Sequence, residues 1–182
     1  MPSVLLPIAD GSEEMEAITI VDILRRGGID VTIASLSGEM ITASRGTKIV
    51  PDAALEDVQS KDFDLVVLPG GMPGTDHLAE DSRVKDLLTR TAAAGRIIGA
   101  ICAAPKVLAQ AGLLDGKRAT SYPGFLDNIS DNVKSTGEAV ERDGNVITSR
   151  AAGTAVDFAL TLVEALTNAE NRESVEAGLV RV

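Results

Sequence analysis

Tryptophan is absent from this chain, and the aromatic residues reduce to one Tyr and three Phe. Proteins that grip single-stranded nucleic acid stack bases on aromatic rings, so that class of function loses its platform. Basic residues are also scarce: 17 Lys and Arg stand against 27 Asp and Glu, for a net charge of −10. Contact with phosphate backbones needs clustered cations, so no direct nucleic-acid partner is expected. No apolar run approaches the roughly 18 residues that cross a bilayer, and no membrane partner is expected. The opening Met1-Pro2-Ser3 has no basic stretch before the first apolar run, which reads against a signal peptide. The single cysteine cannot form an internal disulfide, and a reducing, cytoplasmic setting is the expectation. No Cys/His cluster or Asp-rich loop has metal-ligand spacing. The glycine-rich stretches lack both the dinucleotide fingerprint and the phosphate-loop lysine. Neither a metal nor a cofactor is expected.

What is present is an ordinary globular composition, 45% hydrophobic and 24% charged over 182 residues, enough for one domain with a sizeable core. Short apolar strands alternate with amphipathic helices, the pattern of a mostly parallel sheet covered on both faces. Strands are expected over Val4–Ile8, Val31–Leu36, Leu65–Leu68 and Ile97–Ile101. Helices are expected over Glu13–Arg26, Arg83–Ala94, Ala103–Ala111, Thr154–Leu166 and Glu170–Leu179, with Ser12 as the first N-cap. Residues 37–50 break the rhythm and read as an inserted hairpin around Gly38-Glu39. Glu138–Val140 and Val146–Thr148 read as paired strands joined through Asp143-Gly144. The first helix is apolar nearly all round, through Met15, Ala17, Ile18, Ile20, Val21, Ile23 and Leu24. Such a helix is usually buried nearly all round. Its second face needs cover, from a partner subunit or from the C-terminal helix.

Cys102 is the main chemical candidate. Gly99-Ala100-Ile101 precede it and Ala103-Ala104-Pro105 follow, so small residues crowd a strand-to-helix turn of the kind that presents a nucleophile. A lone cysteine is otherwise a small buried hydrophobe. A thiol at a helix N-terminus is stabilised as thiolate, which predicts a pKa well below the usual value of about 8.5. Pro69-Gly70-Gly71 ends the neighbouring central strand and could aim backbone N–H groups into the same cleft, or be merely a turn. Glu16, facing inward on an apolar helix, should have a raised pKa, while Glu13 and Glu14 read as solvated charges at the helix start. His77, the only histidine, lies in a polar loop or first helical turn.

The segments Gly11-Ser12-Glu13-Glu14-Met15-Glu16, Leu68-Pro69-Gly70-Gly71 and Ala100-Ile101-Cys102-Ala103-Ala104-Pro105 together closely resemble the ThiJ/PfpI family, from Val4 to about Leu166. The resemblance implies one domain over residues 1–182, of the class I glutamine amidotransferase-like type, with a flavodoxin-like doubly wound sheet. It implies a homodimer packed partly through the first helix. It also implies an oxidation-prone cysteine held by a protonated glutamate, mapping to Cys102 and Glu16, with oxyanion donors at Gly70, Gly71 and Ala103. Arg45 matches an arginine near the site at the dimer boundary, and Arg26 another at that boundary. Three departures stand out. Ala151-Ala152 replace a Gly-Pro, which should alter the pocket wall. Tyr122 stands where a histidine is found near the cysteine. Ala103 excludes the branch with histidine directly after the nucleophile.

Two functions follow from this reading. One is a cofactor-independent glyoxalase or protein deglycase, in which the Cys102 thiolate adds to a 2-oxoaldehyde such as methylglyoxal and Glu16 moves the proton. Its partners would be the small aldehyde or a glycated protein. The other is a redox-sensing or protective protein that signals through oxidation of Cys102.

Overall fold

The computed structural model describes residues 1–127, 129 and 132–181. Strands β1 (Ser3–Ile8) and β2 (Asp30–Ser35) flank helix α1 (Glu14–Arg26). The inserted hairpin follows as β3 (Ile41–Thr42) and β4 (Lys48–Ile49), paired antiparallel. A short edge strand β5 (Ala53–Ala54) and helix α2 (Leu55–Val58), neither anticipated from the pattern, precede the central strand β6 (Leu65–Leu68). Helices α3 (Gly74–Glu80) and α4 (Ser82–Ala93) lead to β7 (Ile97–Ile101) and the short α5 (Pro105–Gln110). Beyond it, β8 (Arg118–Ala119) and β9 (Lys134–Ser135) make a small separate pair. The antiparallel β10 (Val140–Asp143) and β11 (Val146–Ser149) turn at Gly144, and α6 (Ala155–Leu166) and α7 (Ala169–Gly178) finish the chain.

The main sheet has the order β10-β11-β7-β6-β1-β2-β5, parallel except for β10. This is the flavodoxin-like α/β arrangement. Its centre is apolar on both faces because the strands are covered twice. Along β1, Val4, Leu6 and Ile8 join the core under α1 and α6, while Leu5 joins the opposite core under α3, α4 and α5. β6 divides in the same way, Leu65 and Val67 on one side and Val66 and Leu68 on the other. The period of two in side-chain direction turns each unbroken apolar run into two half-cores.

The start of α1 differs from expectation. Ser12 is fully buried, and its hydroxyl accepts the Ala9 N–H at 3.0 Å instead of capping the helix. Glu13 is the cap, its carboxylate taking the Glu16 N–H at 2.6 Å. Farther along, α6 covers much of the apolar circumference of α1, with Ile20, Val21, Ile23 and Leu24 in the same core as Phe158, Leu162 and Val163. Cover from the C-terminal part of the chain therefore accounts for most of that face. Met15 and Ile18 remain 53% and 44% exposed.

Phe158 is the largest fully buried side chain, and it packs where β7 carries Gly99. A Cβ at Gly99 would stand 3.3 Å from the Phe158 ring and 3.2 Å from Val67, so ring and glycine fit one another. Phe158→Ala should lower unfolding free energy by about 3–5 kcal/mol, the usual cost of a large core cavity. Chemical denaturation of both proteins measures this, and a loss below about 1 kcal/mol would show that the core collapses around the gap.

Candidate active site

β7 delivers Cys102 to the carboxyl edge of the sheet, beside the end of β6, where ligands gather in open α/β folds. Cys102 has φ of 64°, a left-handed backbone that side-chain-bearing residues avoid. The conformation is held from both sides. The Cys102 N–H donates to the Ser149 carbonyl at 3.0 Å, and its own carbonyl accepts the Tyr122 N–H at 2.8 Å. Such strain costs of order 1–3 kcal/mol and persists only where neighbours over-determine it. The helix behind the turn is shorter than expected. It begins at Pro105 rather than Ala103, and its six residues leave Cys102 off its first turn.

Glu16 comes to the same point from the first turn of α1, with 0% of its surface exposed. Its Oε2 accepts the Gly70 N–H at 2.8 Å, while Oε1 is buried with no hydrogen-bond partner of good geometry. Space here is tight enough to require glycine. A Cβ on Gly70 would lie 2.7 Å from the Cys102 Cβ and 2.8 Å from Glu16 Oε2. Gly71, at φ 90°, would drive a Cβ into the backbone of Glu13 and Gly11. One expectation is corrected by this geometry. Gly70 spends its N–H on Glu16 and is not an oxyanion donor. The backbone donors that act on the Cys102 sulfur are those of Ala103 and Gly71.

The electrostatics reverse the expected thiol acidity. Burial pushes the Glu16 carboxyl up to about 7; the Gly70 N–H and the Cys102 thiol pull it partly back, and the Glu13 charge pushes it further. The Cys102 thiol is pushed up to about 12, first by burial and then by the charge and hydrogen bonding of Glu16. These effects outweigh the donation from the Ala103 and Gly71 backbone. The prediction of an acidic thiol treated the helix terminus as the dominant field. In the structure that terminus is short and displaced, while a desolvated carboxylate is the nearest charge. The two groups are coupled, so an ionised Glu16 raises Cys102, and a protonated Glu16 removes that repulsion and can donate toward sulfur.

Cys102 opens into a cavity of about 290 Å³, with Ser44 and Arg45 from the hairpin on one side and Met72, Tyr122 and Phe125 on another. Tyr122 and Phe125 meet edge to face, with ring centres 6.1 Å apart. Glu13 also reaches the cavity, but its carboxylate is occupied as the α1 cap. The remaining candidates lie elsewhere. Arg26 does not line this cavity and pairs with Asp22 on its own helix at 2.7 Å. His77 sits in α3 with Nδ1 3.1 Å from the Asp10 carbonyl oxygen, also away from the cavity. Ala151 and Ala152 are not among the residues lining this cavity, so the altered wall expected from them is not found there. Among the described residues no cluster of three or more His, Cys, Asp or Glu side chains could hold a metal ion.

Sequence reasoning passed over Ser149, Met72 and Phe125, and it read Glu14 as a solvated charge. Glu14 is no solvated charge. Its carboxylate accepts the Ser44 hydroxyl at 3.0 Å and the Arg45 N–H at 2.9 Å, with the Thr47 N–H at 3.4 Å. Despite a burial cost, these donors and its own backbone N–H hold Glu14 down at about 2. No local pattern announces partners some thirty residues away.

A family model described as the DJ-1/PfpI family matches residues 2–165. Protein dj-1beta of Drosophila melanogaster is 46% identical over 180 residues, covering 98% of this chain and 96% of that one. The crystal structure of Drosophila melanogaster DJ-1beta superposes with a TM-score of 0.96 at 45% identity, covering 100% of this chain and 98% of that one. A Caenorhabditis elegans relative named glutathione-independent glyoxalase DJR-1.2 is 40% identical over 173 residues, 94% of this chain and 91% of its own.

The raised Glu16 pKa has a consequence for stability. The folded protein keeps a proton that the unfolded chain releases as pH rises from 4.5 to about 7. Stability is therefore lost progressively across that window, with the full penalty present above it. Glu16→Gln removes the titration and should stabilise the fold at pH 8 by on the order of 3 kcal/mol relative to pH 4. Denaturant titrations of wild type and variant at pH 4, 6 and 8 measure the difference. A difference that does not widen with pH would mean Glu16 is ionised without penalty.

Proposed function

The chain belongs to the DJ-1/PfpI family, and from that premise we propose that it is a cofactor-independent glyoxalase acting on small 2-oxoaldehydes through Cys102. The observation that carries the reading is the buried, half-partnered Glu16 carboxyl, poised near neutrality beside the only thiol of the chain. A group that both accepts and donates a proton at physiological pH is what the internal redox exchange of a 2-oxoaldehyde needs. The relative named as a glutathione-independent glyoxalase supports the same direction.

In the proposed reaction Glu16 takes the thiol proton as sulfur bonds to the aldehyde carbon, and the proton passes to the carbonyl oxygen. The product is a hemithioacetal. The Gly71 and Ala103 N–H groups stabilise the oxygen while it carries charge. Glu16 then removes the hydrogen from the former aldehyde carbon, giving an enediolate, and returns that proton to the adjacent carbon as the hydroxyl proton passes between the two oxygens. Collapse leaves a thioester, which water cleaves to a 2-hydroxy acid and the free thiol. No external oxidant is consumed, because one carbon is oxidised as its neighbour is reduced. Glycated groups that revert to free aldehyde would be cleared by the same chemistry, so protein deglycation is part of this proposal. The thiol's high pKa keeps the one proton of the pair on sulfur at rest, with ionised Glu16 as its acceptor.

A second reading, redox sensing, draws on the same pair. With one cysteine in the chain, no internal disulfide can intercept a Cys102 sulfenic acid, and protonated Glu16 can donate to a further oxidised sulfur. The proposal also includes a cytoplasmic homodimer. Exposed Met15 and Ile18 on α1, and a cavity of about 410 Å³ lined by Ile18, Ile23, Val156 and Leu179, support association through that face.

Methylglyoxal turnover to lactate tests the main reading. Wild type should turn over, Cys102→Ser should not, and Glu16→Gln should lose about 100-fold or more, as removal of a general acid–base does. An inactive wild type that still oxidises at Cys102 under mild peroxide, read by mass spectrometry, would select the sensor instead. Sedimentation at micromolar concentration should give roughly twice the chain mass, and Ile18→Glu should weaken assembly. A wild-type monomer would remove the dimer from the proposal.

A further inference from the structure

Glu14 sits one residue from the α1 cap, and both oxygens of its carboxylate accept donors from the hairpin loop. Oε1 takes the Arg45 N–H at 2.9 Å, Oε2 takes the Ser44 hydroxyl at 3.0 Å, and the Arg45 N–H also lies 3.1 Å from Oε2. The loop has further backbone ties to the same segment, Ser44 N–H to the Ser12 carbonyl at 2.9 Å and Gly11 N–H to the Thr42 carbonyl at 2.9 Å. The Thr42 N–H donates to the Asp10 carboxylate at 2.7 Å. The two residues whose donors Glu14 holds most closely, Ser44 and Arg45, are the two that the hairpin contributes to the Cys102 cavity. Arg45 is the one cation among the residues lining that cavity, and among the described residues no carboxylate pairs with its guanidinium.

We propose that Glu14 is a positioning residue, whose carboxylate clamps the 44–47 loop so that the unpaired Arg45 guanidinium stands over Cys102 as the cation of the cavity. A carboxylate that accepts several N–H and O–H donors resists protonation, so the clamp stays closed over the working pH range of the protein. Glu14 touches neither substrate nor sulfur; it acts through the backbone of Arg45. A guanidinium held in this way offers a planar set of donors to a carbonyl or carboxylate oxygen in the cavity. Its use in binding a 2-oxoaldehyde rests on the glyoxalase reading, whereas the clamp itself does not.

The clamp can be read without turnover from alkylation of Cys102 by iodoacetate, an anion, and iodoacetamide, its neutral counterpart. Both reagents consume the same thiolate, so the ratio of their rates cancels any change in thiol pKa and reports the local field. Arg45→Ala should lower the iodoacetate-to-iodoacetamide ratio by about threefold, the effect of one unit charge several ångströms away in a water-like medium. Glu14→Ala should lower it by a similar factor, and the double variant should lose no more than either single one, as expected for residues acting as a unit. The direction is diagnostic. If Glu14 acted only through its own negative charge, removing it would raise the ratio. Glu14→Asp keeps the charge but shortens the reach by one methylene, so the ratio should fall again; this variant decides the matter should Glu14→Ala fail to fold. An unchanged or raised ratio in the folded Glu14 variants, or no effect of Arg45→Ala, overturns the proposal. An enzyme that lacks methylglyoxal turnover yet shows the expected ratios would sink the glyoxalase reading and leave the clamp standing.

Discussion

Three groups converge on Gly70: the Glu16 carboxylate bonds to its N–H, the Cys102 side chain packs against its α-carbon, and the Ile101 carbonyl closes the third side. There is no room for a single added carbon. That contact fixes how the first turn of α1 meets the ends of β6 and β7, and so sets the spacing between the only thiol and, among the described residues, the only fully buried carboxylate. A buried carboxylate without a cation is expensive, and the left-handed backbone of Cys102 adds strain. Both are sustained by the double-sided core beneath them, where each central strand contributes alternate residues to two apolar layers.

The convergence also explains why the thiol is not acidic at rest. Burial and a neighbouring carboxylate dominate, while the nearby helix is one short segment that starts at Pro105, two residues later than expected. Reactivity then depends on where one shared proton sits. In the proposed reaction the thiol is activated by moving its proton to the adjacent carboxylate, which needs no permanent cation beside the sulfur. The cation of the site is placed instead at the cavity wall, on a hairpin whose own fold is too small to hold a fixed shape in water. Ties from Asp10, Gly11, Ser12 and Glu14 supply the missing rigidity.

Much of this was legible beforehand because it depends on local chemistry. Unbroken apolar runs at Leu65–Leu68 and Ile97–Ile101 declared buried parallel strands, and both appear with those limits. Small residues around Cys102 announced a tight turn, and a glutamate on the apolar face of a helix announced a raised pKa. Boundaries went wrong where the pattern was ambiguous: the strand expected at Glu138–Val140 begins only at Val140, and the helix after Cys102 starts at Pro105, whose fixed φ suits a first helical position. Short elements such as β5, β8 and β9 had too few residues to show a period at all.

Side-chain periodicity and residue size, both readable along the chain, dictate the layered α/β class, the placement of one cysteine at the end of a central strand, and the inward direction of Glu16. Which donors are free depends instead on long-range packing. Whether Gly70 offers its N–H to a substrate or to Glu16, whether Ser12 or Glu13 caps α1, and whether Glu14 faces water or the hairpin loop are choices among equivalent local options. A hydrogen-bond donor is claimed by whichever acceptor the packing brings within about 3 Å, and that distance is set by residues far apart in the chain.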